Sequence, residues 1–467
     1  MIDSEFFVKV SGLERNLNNS GIPQYLLEFW PLIRVKLTES YVERKKVNTR
    51  IRIRRGLTVI ASLIKPPRSF HNSDILFLSA DSDFGPQRYL FKENRTEKAI
   101  MKLLQGEMSV TFVNSATLGT LQVFRGIGGV SLMNHILIAR ISAKLKQLLK
   151  KTRISGQNHL SNQIQEVFGF APPIEFDIRF VGELADRFEQ ILLEVSPKVV
   201  VVSVWYSREA MAMILACKRL NIRTVDYQHG AQNDMHPMYT HWSLASDFGF
   251  DTMPEVFWTW GEISLRRINK WVKNYQNHRA ILGGNLQLDC RDAEPKASSV
   301  RERGYQNGLP VIYVTLQGDD VFNKDLLDVV QETHQRLEWR FRDHPRLPIS
   351  PAIRRDILRA SEKKAIFVKR TNLHEDLANV SIHVTASSSC AFEAEFFGVP
   401  TIFTHKSAPL GQPGLAGSEG FLFCYSKEEI VEGLWKLLRS GPTPNSDYIT
   451  RDVDSNEVLR ELITGQN

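Results

Sequence analysis

Cysteine is scarce in this chain of 467 residues: Cys217, Cys290, Cys390 and Cys424 stand at spacings that match neither a disulfide framework nor a metal-ligand pair. Their scarcity excludes a disulfide-stapled secreted scaffold and predicts a reduced, cytosolic chain. Long apolar runs are missing too, since none approaches the roughly 18 residues a membrane-spanning helix needs. The opening MIDSEFFVKV lacks the basic-then-apolar order of a signal peptide, so the chain is expected neither to leave the cytosol nor to cross a bilayer by itself. No HExxH occurs, and His229, His236 and His241 are unevenly spaced, so no metal site is expected. What is present is globular: 42% hydrophobic and 24% charged residues, in a chain too long for one core. A net charge of +7 points towards polyanions or an anionic membrane face. Tyr41–Arg55 alone holds seven basic residues against one acidic, a solvated surface segment or a lipid-facing one. Aromatics do not interleave with that basic run and no recognition motif appears, which argues against nucleic acid.

Strand and helix periods alternate along most of the chain. Asp74–Ala80, Ser109–Val113, Val199–Trp205, Arg223–Gln228 and Pro254–Trp260 read as strands, and the near-continuous valines of VVVVSVW predict a central strand of a parallel sheet. Leu132–Thr152 reads as a helix whose apolar stripe, Leu132, Ile136, Leu137, Ile141, Leu145, Leu148 and Leu149, is expected to pack on a core; membrane apposition is the lesser alternative. A second βα series begins at Pro310–Gln317 and continues through Glu338–Arg342, Ala365–Lys369 and Val380–Thr385. The predicted class is α/β in two lobes, with the first ending near residue 262.

Several strand ends carry polar groups. In the first lobe His229 and Gly230 of QHG close Arg223–Gln228, where an open α/β sheet places its ligands. His236 and Tyr239 follow in a long polar loop. Gly283 and Gly284 form a turn that either admits backbone to a ligand or only makes a tight loop. In the second lobe four strands end in Gln317 and Gly318; in His344; in Lys369 and Arg370; and in the turn Ser387, Ser388, Ser389, which opens a helix ended by Gly398. Serines before a helix often only cap it, but their convergence with cations and a histidine describes an anion site.

QHG, GGN, LQ, HP, the serine turn and EAEFFGVPTIF together resemble GT-B glycosyltransferases, and more narrowly bacterial enzymes of capsule, O-antigen and related surface-polysaccharide assembly. The resemblance covers about residues 190 to 435. It implies two Rossmann-like domains facing each other across a cleft: an acceptor-side domain over 1–262, a nucleotide-sugar domain over 263–440, and a tail over 441–467 crossing back. His229 is similar to the general base that takes the acceptor's proton in polymer glycerophosphotransferases and polysialyltransferase-like enzymes, with Gly230, His236 and Tyr239 on the acceptor side. His344 with Ser387, Ser388 and Ser389 resembles the set that holds the donor phosphate, helped by Gly284, Gln317, Arg342, Lys369 and Arg370. Glu393 falls where such enzymes place a ribose-binding carboxylate; the other possibility is a carboxylate paired with a neighbouring base. TASSS departs from the turn of the CDP-glycerol enzymes, which puts glycerophosphate transfer in doubt. No DxD occupies a credible strand-end position, so the expectation is metal-independent, inverting transfer without a cofactor. The implied partners are a UDP-, CDP- or CMP-linked sugar, a glycan or lipid-linked glycan acceptor, and the anionic inner face of the cytoplasmic membrane. The runner-up is a nucleotide-sugar 2-epimerase, which shares the architecture; a non-catalytic glycan-binding assembly subunit is the reading outside enzymes.

Overall fold

The structure is a computed structural model that describes residues 2–18, 20–42, 70–79, 100–101, 104, 108–115, 130–149, 154–230, 232–246, 249–288, 305–306, 308–344, 347–368, 373–411, 415, 418–440 and 447–465. Lys369, Arg370 and most of the basic run at 41–55 lie outside them. The chain divides into two compact units, Met1–Gln287 with Asp452–Asn467, and Leu288–Arg451.

The first unit opens with helices α1 (Ser4–Leu17), α2 (Gln24–Leu27) and α3 (Trp30–Val42). Asp3 caps α1 by accepting from the Phe6 amide at 3.0 Å. Strands β1 (Ile75–Ser79), β2 (Val110–Asn114) and β3 (Val130–Ser131) precede helices α4 (Met133–Leu148), α5 (Gln157–Phe168) and α6 (Glu175–Val195). Then β4 (Val199–Val202), α7 (Arg208–Arg219), β5 (Arg223–Tyr227), β6 (Val256–Thr259), α8 (Glu262–Val272) and β7 (Arg279–Leu282) complete the series. All pair in parallel in the order β3-β2-β1-β4-β5-β6-β7. Every residue of β4 is buried, as a central strand covered on both faces requires. The strand order reverses direction between β1 and β4, and there a doubly wound sheet opens its ligand crevice.

The sheet runs past the boundary expected near 262, because β7 pairs with β6 and the first unit therefore continues to Gln287. Gly284 thus belongs with the histidine-bearing unit rather than with the donor-binding set.

The N-terminal helices are held to the loop after β5 by a fully enclosed charge pair. Glu14 accepts from the Trp30 indole at 2.7 Å, from Arg34 at 2.5 Å, and from the Ser243 amide and hydroxyl at 2.7 and 2.8 Å. Arg34 in turn donates to the carbonyls of Thr240 and His241 at 2.8 and 3.0 Å and lies over the Trp242 ring. His241 takes a left-handed backbone, φ 58°, unusual outside glycine, and Arg34 holds its carbonyl.

The outcome for α4 differs from the expectation. Met133, Ile136, Ala139 and Ala143 face α6, whereas Ile141, Leu145, Leu148 and Leu149 of the predicted stripe are exposed. The helix carries apolar residues on two opposite faces, and small alanines allow the inner one to approach α6 closely.

In the second unit β8 (Tyr305–Gln306) lies antiparallel to β9 (Leu309–Thr315). There follow α9 (Asp325–Thr333), β10 (Glu338–Arg342), α10 (Pro351–Ala360), β11 (Ile366–Phe367), α11 (Leu373–Leu377), β12 (Ile382–Thr385), α12 (Cys390–Phe396), β13 (Thr401–Phe403), α13 (Ala408–Gly411), β14 (Phe421–Phe423) and α14 (Lys427–Ser440). The parallel order is β11-β10-β9-β12-β13-β14, again reversing once, between β9 and β12. Ile312 and Val314 pack on one face of the sheet, Val311 and Tyr313 on the other. Buried His383 bridges the hydroxyls of Thr315 and Thr401 at 2.8 and 3.0 Å, and burial pushes its pKa down to about 3.

A last helix, α15 (Ser455–Thr464), is capped by Asp454 and returns to the first unit. Arg223 donates to the Leu462 carbonyl at 2.8 Å, and Ser455 donates to that of Gly283 at 2.6 Å.

Candidate functional site

In the first unit the site grows from the carboxyl ends of β4 and β5. Asp226, the penultimate residue of β5, is fully buried. It accepts from the Tyr239 hydroxyl at 2.9 Å and the Trp205 amide at 3.3 Å, and burial raises its pKa to about 8. Three residues on, His229 is half-buried beyond the strand end. Its Nε2 lies 3.3 Å from the Tyr206 hydroxyl, which lies 3.3 Å from Nε2 of His236 as well.

The tautomers follow from counting protons. His236 Nδ1 accepts from the Met238 amide at 3.3 Å, so a neutral His236 carries its hydrogen on Nε2 and donates to Tyr206. Burial, with His229 nearby, pushes the His236 pKa down to about 3 and keeps that ring neutral. Tyr206, accepting from His236, is placed to donate to His229 Nε2. The lone pair of that nitrogen is therefore fixed in direction, and His229 Nδ1 is shielded from solvent.

Tyr239 is not on an acceptor-facing surface as expected: it is 1% exposed and supports Asp226. Gly230 closes the strand end, and its carbonyl accepts from the Gln228 side chain at 2.9 Å. Gly284, φ 76°, offers its carbonyl to the Trp258 indole at 2.8 Å, while a Cβ on Gly283 would come within 2.1 Å of that ring. The pair of glycines thus serves packing against Trp258.

In the second unit the switch point is bridged directly. Gln317, beyond β9, accepts through Oε1 from the Ser387 amide, beyond β12, at 2.7 Å. That contact fixes the amide, since Oε1 must face the N–H and the NH₂ group turns the other way. One amide of the serine turn is consequently engaged within the protein. Ser387 is exposed, Ser388 accepts from the Cys390 amide at 3.3 Å, and Ser389 makes no side-chain cap. His344 Nδ1 accepts from the Leu347 amide at 3.1 Å, so its neutral ring carries the hydrogen on Nε2.

Arg342 was expected to face a phosphate, but Asp376 holds it at 2.8 Å beside the Tyr313 hydroxyl, which donates to the same carboxylate at 2.7 Å. Its charge is neutralised locally. Glu393 lies 2.8 Å from His374 Nε2, the base-paired alternative to the ribose-binding role. Lys369 and Arg370 lie outside the described residues. One DxD, Asp81-Ser82-Asp83, does follow β1 in the sequence, also outside them, so the expectation of metal independence rests on the other strand ends alone.

Two groups escaped sequence reasoning. Tyr206 stands just past VVVVSVW, hidden by its aromatic neighbours. Asp226 carried a usable signal, a carboxylate inside a buried strand, which folds tolerate mainly where it is hydrogen-bonded.

No protein-family model matches the chain, and comparison with curated proteins gives no match. Solved structures do resemble it. A UDP-N-acetylglucosamine 2-epimerase is 11% identical with a TM-score of 0.50, covering 85% of this chain and 97% of its own. The UDP-GlcNAc 2-epimerase of Methanocaldococcus jannaschii is 12% identical with a TM-score of 0.49, covering 84% and 99%. A spinosyn rhamnosyltransferase, SpnG, is 14% identical with a TM-score of 0.42, covering 84% and 96%. At such identity the likeness is one of fold: two Rossmann-like units of the GT-B class.

Proposed function

We propose that this chain is an enzyme acting on nucleotide sugars, and specifically a glycosyltransferase that moves a sugar from a nucleotide donor onto a growing surface glycan, free or lipid-linked, at the inner membrane face. The observation that carries this reading is the oriented Nε2 lone pair of His229 at the carboxyl end of β5. A base of that kind suits deprotonation of an acceptor hydroxyl. In the reaction, the acceptor O–H bond breaks as its oxygen bonds the anomeric carbon. The acceptor hydroxyl would displace the Tyr206 hydroxyl from His229 Nε2, its proton ends on that nitrogen, and the sugar–phosphate bond electrons leave with the nucleotide. Donor phosphate would meet the His344 Nε2–H, the Gln317 NH₂ and the hydroxyls of Ser387, Ser388 and Ser389. Glu393 would reach ribose hydroxyls only by exchanging its contact with His374. Lys369 and Arg370 remain candidates for the same phosphates on sequence grounds.

A second reading, a nucleotide-sugar 2-epimerase, is favoured by the likeness of fold to the UDP-N-acetylglucosamine 2-epimerase. The two readings share the donor site and part at the first unit. Epimerisation needs a group exchanging the hydrogen on C2, and Asp226, the carboxylate of the same strand three residues before His229, is wholly enclosed.

A thermal-shift series with UDP, CDP, CMP and GDP tests the donor site, a ligand at 100 times its Kd adding about 2.7 kcal/mol. No shift with any of them would count against both readings. The sugar nucleotide of the responding base, incubated in D₂O, then separates them: deuterium appearing at C2 without acceptor means an epimerase, and a donor unchanged alone but consumed when a glycan acceptor is added means a transferase.

A further inference from the structure

Helix α4 presents an apolar face that is exposed among the described residues. Ile138 is 42% exposed, Ile141 51%, Leu145 54%, Leu148 66% and Leu149 62%, at spacings that place them on one side of a helix. The opposite side, Met133, Ile136, Ala139 and Ala143, is buried. Isolated exposed apolar side chains are ordinary, but two isoleucines and three leucines on one helix face are not.

The sequence around this face is mainly basic. Between Glu107 and Glu166 the sequence contains no Asp or Glu, while Arg140, Lys144 and Lys146 lie in α4 and Lys150, Lys151 and Arg153 follow it. Lys144 and Lys146 flank the apolar side on the helical circle. Lys146 also reaches Glu183 of α6, the acidic group at the rim. Among the described residues no helix is long and apolar enough to cross a membrane, and a bilayer contact of α4 would run along its surface.

We infer that the outward face of α4 docks on an anionic phospholipid bilayer, the leucines and isoleucines entering the headgroup boundary and the lysines contacting lipid phosphates. Charge complementarity selects this occupant. A second copy would bring a like-charged rim against a like-charged rim. The inference does not depend on the donor site and names the surface through which an enzyme of lipid-linked glycans would reach its acceptor.

The test is co-sedimentation of the full-length protein with phosphatidylcholine vesicles that contain or omit phosphatidylglycerol. Binding is expected only with phosphatidylglycerol and should weaken as salt rises. Leu145→Asn with Leu148→Asn should lower vesicle affinity about 100-fold, roughly tenfold per leucine removed from the boundary. Lys144→Glu should lower it about tenfold. Melting temperatures should not change, because these side chains touch no core. No binding, equal binding to neutral vesicles, or unchanged binding by the double variant overturns the inference. So does a variant that turns a dimer into a monomer, or one that melts lower, without any vesicle binding by the wild type; these outcomes assign the face to a second copy or to another segment of this chain. Nucleotide binding measured on the same samples keeps failure of this surface distinct from failure of the donor site.

Discussion

Replacing His229 with alanine is expected to lower kcat/KM for transfer by about 10²- to 10⁴-fold while leaving the nucleotide thermal shift unchanged. Tyr206→Phe makes a finer test. Its hydroxyl donates to the Nε2 lone pair and so favours the neutral ring. Without it the acid limb of the kcat/KM profile should move to higher pH, a change that a purely structural tyrosine would not produce. Asp226 gives a prediction about stability. Its folded pKa, about 8, exceeds the unfolded value near 3.9, so the native state binds more protons between those limits and stability falls as pH rises from about 4 to 8. His236 and His383 act in the opposite sense at lower pH: both are held neutral with values of about 3, so acidification below about 6.5 favours the unfolded chain. Asp226→Asn should flatten the loss of melting temperature between pH 6 and 8 and leave the acid side as it was.

Among elements, the coupling of α1 and α3 to the loop after β5 is the one that positions the site. The Glu14–Arg34 pair has no solvent exposure on either side chain. Glu14→Gln leaves a buried guanidinium without its counter-charge, a change expected to cost about 3–5 kcal/mol in the first unit. Glu14→Leu combined with Arg34→Leu should recover most of that, and urea unfolding followed by tryptophan fluorescence reads both. These helices occupy a stretch whose sequence gave no clear placement, because Glu14, Arg34 and Ser243 become neighbours only through tertiary contact across some 200 residues. Strands were legible where burial on both faces wrote continuous apolar runs, as in β4 and β9. Helix α4 was legible as a helix but not in its orientation, since period alone does not say which of two apolar faces meets the core. His229, Gln317, His344 and Ser387 were legible as strand-end residues because doubly wound sheets collect polar groups there. The pairing of Arg342 with Asp376 was not, a cation at a strand end carrying no mark of the partner it will find.

For the whole molecule the informative contact is that of α15 with the first sheet. Leu459 is 3% exposed and lies with Ile75, Val201, Tyr227, Trp258 and Leu286 around a void of about 10 Å³. Leu459→Ala should destabilise the first unit by about 2–5 kcal/mol and leave nucleotide-dependent stabilisation of the second intact, provided the units are monitored by separate probes. The boundary expected at 262 and the one observed at 287 differ because a domain ends where its sheet ends, and β7 is a short strand of half-buried residues whose membership depends on pairing with β6.

A segment read late by the ribosome thus seals a sheet made early. Until Leu459 has left the exit tunnel, the nascent strands β1, β4, β5 and β6 keep an oily seat open to water, and the 164 residues from Leu288 to Arg451 are synthesised during that wait. Chaperone engagement during translation should therefore persist through synthesis of the second unit and end only when the last helix arrives.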